Sequence, residues 1–222
     1  MKLSVVIPAY NEEENIEQAV KAVAKRFPGA EIIVVNDKST DKTLEILKSL
    51  QDKIANLIVI TNDVNSGHGK TVVNGLLAAS KDYILYIDAD QQIELSNFLC
   101  SEKLDVISGY RVDRKDKPFR LIITRILKYT NLLRHRCFIR DANCPFKIYR
   151  RDKIQALIAR LPESYIIPVA CLQVLAKKNH LRVIEIPVYH QKYHSERIGF
   201  LQTINRKSIA FCWKAFIEVM KL

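Results

Sequence analysis

Short, continuous apolar runs rich in β-branched residues recur through the first half of the chain, at residues 3–7, 32–35, 57–60 and 83–87. Between them the period changes: residues 12–27 put Ile16, Ala19, Val20 and Val23 on one helical face, and residues 41–50 and 70–80 read as helices in the same way. Continuous apolar strands alternating with helices predict a Rossmann-like, mostly parallel sheet with helices on both faces. The fold class is α/β. Residues 182–188 are strand-like. Toward the C-terminus Ile209, Trp213, Phe216, Ile217 and Met220 form one stripe of an amphipathic helix flanked by Lys207, Lys214 and Lys221. Such a helix either lies in a lipid headgroup layer, lysines toward anionic lipid, or packs its stripe onto the core.

In an open parallel sheet, ligands sit beyond the carboxyl ends of the strands, and those loops are strongly polar here. They read Pro8-Ala9-Tyr10-Asn11-Glu12, Asn36-Asp37-Lys38-Ser39-Thr40-Asp41 and Asp88-Ala89-Asp90-Gln91-Gln92. Asp41 or Ser39 is placed to cap the following helix. Asp88 and Asp90, read as a continuation of the strand, project to the same side with Ala89 turned inward. Two carboxylates so close repel unless a cation lies between them, and a hard ion such as Mg²⁺ or Mn²⁺ completes its shell with substrate phosphate oxygens; a solvent-exposed acidic turn is the alternative. Gly67-His68-Gly69-Lys70-Thr71 ends like a phosphate-cradling loop, but the first glycine of that motif falls on Val64. Gly69 is instead expected to let the loop pass close to a bound ligand or to start the helix.

Of 222 residues, 35 are Lys or Arg and 24 Asp or Glu, a net charge of +11. The excess is uneven: residues 1–110 carry −5 and residues 111–222 carry +16, with ten basic residues in 111–140 against Asp113 and Asp116. Such a concentration either seeks phosphate in nucleic acid, anionic lipid or a phosphorylated substrate, or forms a solvated charged face. Five cysteines without C-x-x-C spacing argue against a disulfide framework or zinc ribbon and point to reducing cytosol. Neither a leader nor the roughly 20-residue apolar run of a membrane span is evident, so any membrane contact is expected to be peripheral.

Taken together, residues 4–12, 34–43, Asn65-x-Gly67-x-Gly69 and 83–92 resemble the family 2 glycosyltransferases of GT-A fold, and among them the polyprenyl-phosphate sugar transferases such as dolichol-phosphate mannose synthase. The resemblance implies a GT-A domain over residues 1–199, with a nucleotide-sugar half (1–107) and an acceptor half (108–199), followed by the helix of 200–222. It implies that Pro8, Ala9, Tyr10, Glu12, Asp37, Gly69, Asp88 and Ala89 line the nucleotide sugar. Asp37 would hydrogen-bond the base, and Asp88, Asp90 and Gln92 would hold the metal. Ser108-Gly109-Tyr110-Arg111, Arg120-x-x-x-Thr124 and Arg197-Ile198-Gly199 are similar to the segments that face the phosphates. Asp90, Arg111, Arg120 and Arg197 are thus the implied catalytic set, with Thr124 beside the acceptor phosphate. Asp141-Ala142-Asn143-Cys144-Pro145-Phe146-Lys147 departs from the family's D-x-x-S-G-F-R, and 164–170 lacks the polar residues of the mannose synthases.

These readings combine into an inverting hexosyl transfer from GDP- or UDP-sugar to polyprenyl phosphate at the cytosolic face of a membrane, with Mg²⁺ or Mn²⁺ as cofactor. A phosphate monoester, with a second pKa of about 6, needs positive guidance more than deprotonation. A sugar hydroxyl acceptor would call on Asp141 or Glu163 as base. The chain is expected to bind the anionic interface itself or to borrow a partner protein's anchor. A basic nucleic-acid-binding domain is the reading from another class. It is disfavoured because Tyr110, Phe119, Tyr129 and Phe138 are too widely spaced to form a stacking platform. A degenerate transferase that binds donor without turnover is the third. His190 and His194 are expected to be surface or acceptor-loop residues.

Overall fold

The computed structural model describes residues 2–90, 104–112, 118–189 and 206–222, with positions 118–123, 127 and 207 described by backbone alone. Strands β1 (Leu3–Ala9), β2 (Glu31–Asn36), β3 (Leu57–Thr61), β4 (Tyr83–Ile87), β5 (Val106–Val112), β6 (Phe146–Arg150) and β7 (Val183–Tyr189) form a sheet in the order β3-β2-β1-β4-β6-β5-β7. Parallel pairing joins β1 to β2 and β4, β2 to β3, and β5 to β7, whereas β6 runs antiparallel between β4 and β5. The helices are α1 (Ile16–Arg26), α2 (Thr43–Gln51), α3 (His68–Ala78), α4 (Pro118–His135), α5 (Arg151–Ile158), α6 (Pro168–Lys178) and α7 (Arg206–Met220).

Every residue of β1 is buried, because alternate side chains enter two different core clusters. Val6 packs with Val72, Val73 and Leu76 of α3, while Val5 and Ile7 face Ile16, Val20 and Val23 of α1 and Leu47 of α2. Each such side chain contributes at most about 1.5–3 kcal/mol of burial, which is why the strands read as continuous apolar runs. The predicted α1 stripe is the buried one, but the helix begins at Ile16 rather than Glu12. Residues 12–15 instead form a turn in which the Asn15 and Ile16 amides donate to the Glu12 carbonyl at 3.0 and 2.8 Å. The preceding polar groups are used sideways, against the loop after β2.

The strand order reverses beside β1, with β2 and β3 on one side and β4 on the other. That reversal opens a crevice at the carboxyl ends of β1, β2 and β4.

The C-terminal helix packs onto the core through a stripe different from the one its apolar residues suggest. Ser208, Ala215, Glu218 and Val219 are buried, and Ile209, Trp213 and Met220 face outward. The Glu218 carboxylate accepts the Ile166 amide at 2.9 Å and the Ile167 amide at 3.1 Å. It thereby caps α6, whose own N-cap residue, Ile167, offers no side-chain acceptor. Burial raises the Glu218 pKa, only partly offset by those amides. His135 of α4 meets the Val219 carbonyl at 2.8 Å, tying α4 to α7. Polar contacts, invisible to a hydrophobic pattern, choose the inward face.

Candidate functional site

The loops after β1 and β2 are stitched together. Thr40 N donates to Asn11 Oδ1 at 2.8 Å, Asn11 N to Ser39 Oγ at 3.0 Å, and Glu12 N to Thr43 Oγ1 at 2.8 Å. Asp41 accepts the Thr43 amide at 3.0 Å and the Glu13 amide at 3.1 Å, so it serves the start of α2 and the neighbouring loop together. Asn11 and Lys38 adopt left-handed backbone, φ 54° and 58°. Asparagine tolerates this region; for Lys38 it costs about 1 kcal/mol or more and is held by the surrounding bonds. Ala9 is buried beneath the crevice, and Tyr10 is exposed at its rim.

Asp37 is buried, and its carboxylate binds the loop before α3: Asn62 Nδ2 at 2.7 Å, Ser66 N at 2.8 Å and Gly67 N at 2.8 Å. Those bonds take three of about four lone-pair sites. The two glycines here have backbone reasons of their own. Gly67, at φ +82°, is the left-handed residue before α3, and a Cβ on Gly69 would stand 1.6 Å from the Tyr165 carbonyl oxygen. Gly69 is therefore a point of contact between α3 and the segment leading into α6.

β4 ends at Ile87, and Ala89 and Asp90 lie in a turn, so the aspartate pair does not continue the strand as expected. Ala89 is turned inward and buried, while Asp88 and Asp90 remain partly exposed. The i, i+2 relation operates one step earlier, where buried Tyr86 donates its hydroxyl to Asp88 Oδ1 at 2.6 Å. His68 Nε2, from the first residue of α3, lies 3.3 Å from that hydroxyl and 3.9 Å from Asp88 Oδ1. Burial, followed by the charge of Asp88, raises the Tyr86 pKa well above its usual value and keeps the donated proton in place. Among the described residues no group of three or more His, Cys, Asp and Glu converges. Two carboxylates at a crevice mouth suit a hard cation that takes its remaining oxygens from a substrate diphosphate.

In the acceptor half, Arg111 is engaged differently from its expected phosphate role. Its guanidinium donates to both oxygens of Asp141, at 2.8 and 3.1 Å, with the two side chains 6% and 4% exposed. Beneath them lies Lys147, wholly buried, donating to Ser108 Oγ at 2.6 Å, Gln173 Oε1 at 3.0 Å and the Asp141 carbonyl at 3.3 Å. Burial lowers the Lys147 pKa. Gln173 passes the chain on to Glu185, which also receives the Arg140 amide. The altered segment thus keeps a cation at position 147, and burial pushes the Cys144 thiol up to about 11. Lys147 was recognisable as a lone charge inside the apolar run 146–149; its partners were not. Thr124, Lys128, Arg140, Asp141 and Asn143 line a small pocket of about 10 Å³. Glu163 is exposed.

Gln92, Arg197, His190 and His194 lie outside the described residues, as does the side chain of Arg120. The four described cysteines, Cys137, Cys144, Cys171 and Cys212, are free thiols. No described helix is long and apolar enough to cross a membrane.

The family model described as Glycosyl transferase family 2 matches residues 4–158. Undecaprenyl-phosphate 4-deoxy-4-formamido-L-arabinose transferases of Salmonella choleraesuis (strain SC-B67) and Salmonella newport (strain SL254) are 30% and 29% identical over 219 residues, covering 92% of this chain. The chain spans 64% of the length of these curated relatives. Crystal structures of Mycobacterium tuberculosis glucosyl-3-phosphoglycerate synthase have a similar fold at 18% identity. The complex with Mn²⁺, UDP-glucose and phosphoglyceric acid gives a TM-score of 0.68 over 97% of this chain and 79% of that one. The complex with Mn²⁺, UDP and glucosyl-3-phosphoglycerate gives 0.66 over 96% and 79%. The expected GT-A architecture is the fold of this chain. With polar loops gathered at the strand-order reversal, an aspartate pair after β4 and a match running from β1 through α5, this chain belongs to glycosyl transferase family 2.

Proposed function

We propose that the chain is an inverting, metal-dependent glycosyltransferase that moves a hexose from a nucleoside-diphosphate sugar to a polyprenyl phosphate at a membrane surface. The observation that carries the acceptor class is the state of Asp141. Of the two residues that a sugar hydroxyl would call on as base, Asp141 is bound through both oxygens to Arg111, and Glu163 is exposed. A phosphate monoester is largely dianionic at neutral pH and attacks without a base, so a locked Asp141 is compatible with it.

On the donor side Asp88 and Asp90, with Gln92, would hold Mg²⁺ or Mn²⁺. Bound there, the cation supplies charge neutralisation for the departing diphosphate. The protein's share is to hold the carboxylates in place, to shape the base pocket through the loop fixed by Asp37, and to surround the acceptor phosphate with cations. Arg120 and Arg197 are the arginines assigned there, with Thr124. In-line attack behind the anomeric carbon inverts it.

The membrane reading rests on α4 and α7. Ile126, Tyr129 and Leu133 of α4 and Ile209 and Trp213 of α7 are exposed, Leu133 at 82% and Trp213 at 63%. α4 has no acidic residue, and the single acid of α7, Glu218, is buried. Exposed apolar residues among lysines and arginines suit an anionic interface, where each basic residue near the surface contributes about 1 kcal/mol.

The test is transfer from UDP- and GDP-sugars to polyprenyl phosphate in detergent or vesicles, beside water-soluble sugar acceptors, with and without EDTA. Metal-dependent transfer to the lipid is expected. Turnover confined to the soluble acceptors, or undiminished in EDTA, refutes the acceptor or the metal assignment respectively. Donor binding without turnover on any acceptor supports the degenerate reading instead.

A further inference from the structure

We propose that Tyr86, backed by His68, is a positioning residue of the donor-side metal site: it pins one oxygen of Asp88 so that the other is presented to the cation. The inference rests on the assignment of Asp88 as a metal ligand.

The hydroxyl of Tyr86 has a defined task. Tyr86 lies in a strand whose neighbours Ile84, Leu85 and Ile87 are apolar and buried, and a phenylalanine there would fill the core equally well without a polar group to satisfy. The hydroxyl instead reaches Asp88 Oδ1 at 2.6 Å, a length typical of a hydrogen bond to a charged acceptor. Asp88 Oδ2 has no hydrogen-bond partner among the described residues, and the side chain is 29% exposed. One oxygen is therefore held by Tyr86, and the side chain keeps exposed surface. An aspartate at a turn otherwise rotates its carboxylate freely, and ordering it in advance removes that cost from ion binding.

His68 completes the arrangement. With its proton on Nε2 it donates to Tyr86 Oη across 3.3 Å. Its loop is the one that Asp37 holds through the Ser66 and Gly67 amides. A continuous path therefore runs from Asp37 at the end of β2, through the loop and His68, to Tyr86 and Asp88 at the end of β4. The base side and the metal side of the crevice are joined by hydrogen bonds within the protein.

The experiment uses the whole chain, with UDP, GDP and Mn²⁺ as probes, followed by calorimetry. UDP is titrated with and without Mn²⁺, and Mn²⁺ is titrated at saturating UDP, for the wild type, Tyr86→Phe, His68→Ala and Asp90→Asn. Loss of such a supporting contact typically weakens metal affinity by about 10–100-fold. Tyr86→Phe is expected to fall in that range with metal-free UDP affinity and thermal midpoint unchanged, and His68→Ala, an exposed site, to lose less. If Tyr86→Phe and His68→Ala both bind Mn²⁺ like the wild type while Asp90→Asn does not, the positioning role is refuted and the metal assignment stands. If Mn²⁺ enhances the binding of neither UDP nor GDP to the wild type, both fall. A Tyr86→Phe loss matched by equal losses in metal-free UDP binding and thermal midpoint, with His68→Ala unaffected, marks a packing role and also refutes the proposal.

Discussion

Replacing Asp141 with alanine tests the assignment of Arg111 to a buried ion pair. The substitution leaves a guanidinium whose side chain is 6% exposed without the acceptor of its bonds at 2.8 and 3.1 Å. Removing one partner of a buried pair costs about 3–5 kcal/mol, because the remaining charge stays desolvated. For a chain of this size each kcal/mol moves the thermal midpoint by about 2–4 °C, so the midpoint should fall by roughly 6–20 °C. The double variant Arg111→Met, Asp141→Leu removes both charges and should recover most of the loss, since apolar replacement of a buried pair is often close to neutral. Thermal unfolding by circular dichroism on the wild type, both single variants and the double variant completes the cycle. An Asp141→Ala midpoint within about 2 °C of wild type would show that Arg111 is not balanced by Asp141. A double variant no better than the worse single one would show that the cost is not electrostatic. Either result refutes the reading of Arg111 as half of a buried ion pair with Asp141.

Gly69→Ala places a Cβ 1.6 Å from the Tyr165 carbonyl oxygen, a backbone contact that no rotamer relieves, and should cost at least the upper part of the about 1–3 kcal/mol range for overpacking. Gly67→Ala meets no atom within 4 Å and carries only the penalty of φ +82°, so urea midpoints should rank Gly69→Ala below it; the reverse order rejects the contact. At Asp105, burial works to raise the pKa, but hydrogen bonds and charge from Arg182 and then Arg150 outweigh it and hold the carboxyl below its model-compound value of 3.8. The folded state thus binds fewer protons than the unfolded one, and this stabilisation, complete above pH 3.8, is lost as pH falls through the lower folded value. Acid titration should show Asp105→Asn with a shallower loss of stability below that pH than wild type; parallel curves contradict it. Trp213→Asp with Leu133→Asp should weaken sedimentation with phosphatidylserine vesicles severalfold without lowering the thermal midpoint, since both side chains are exposed; unchanged vesicle binding removes α4 and α7 from the interface.

Much of the donor half was readable along the chain because its signals are local. Strands at 57–60 and 83–87 were placed within a residue of their observed limits, and the α1 stripe of Ile16, Ala19, Val20 and Val23 is the buried one. Where strand meets loop, side-chain period no longer holds: extending the β4 alternation to Asp90 predicts a same-side aspartate pair, while the backbone turns after Ile87 and the same-side pair is Tyr86 with Asp88. In α7 the apolar stripe leaves open whether it faces lipid or core, and the buried side is a second one that includes the charged Glu218.

By itself the sequence determined the α/β alternation, the polar loops at the strand ends and the segregation of negative charge to the first half and positive to the second. These depend on side-chain period and residue type, which are written contiguously. Tertiary structure alone decided that Arg111 meets Asp141, that Asp37 grips the loop before α3, that Gly69 touches Tyr165 and that Glu218 caps α6. Each joins segments about 30 to 100 residues apart. A buried polar group must find a partner wherever the sheet order brings one within hydrogen-bond reach, and that order is not encoded in any single segment.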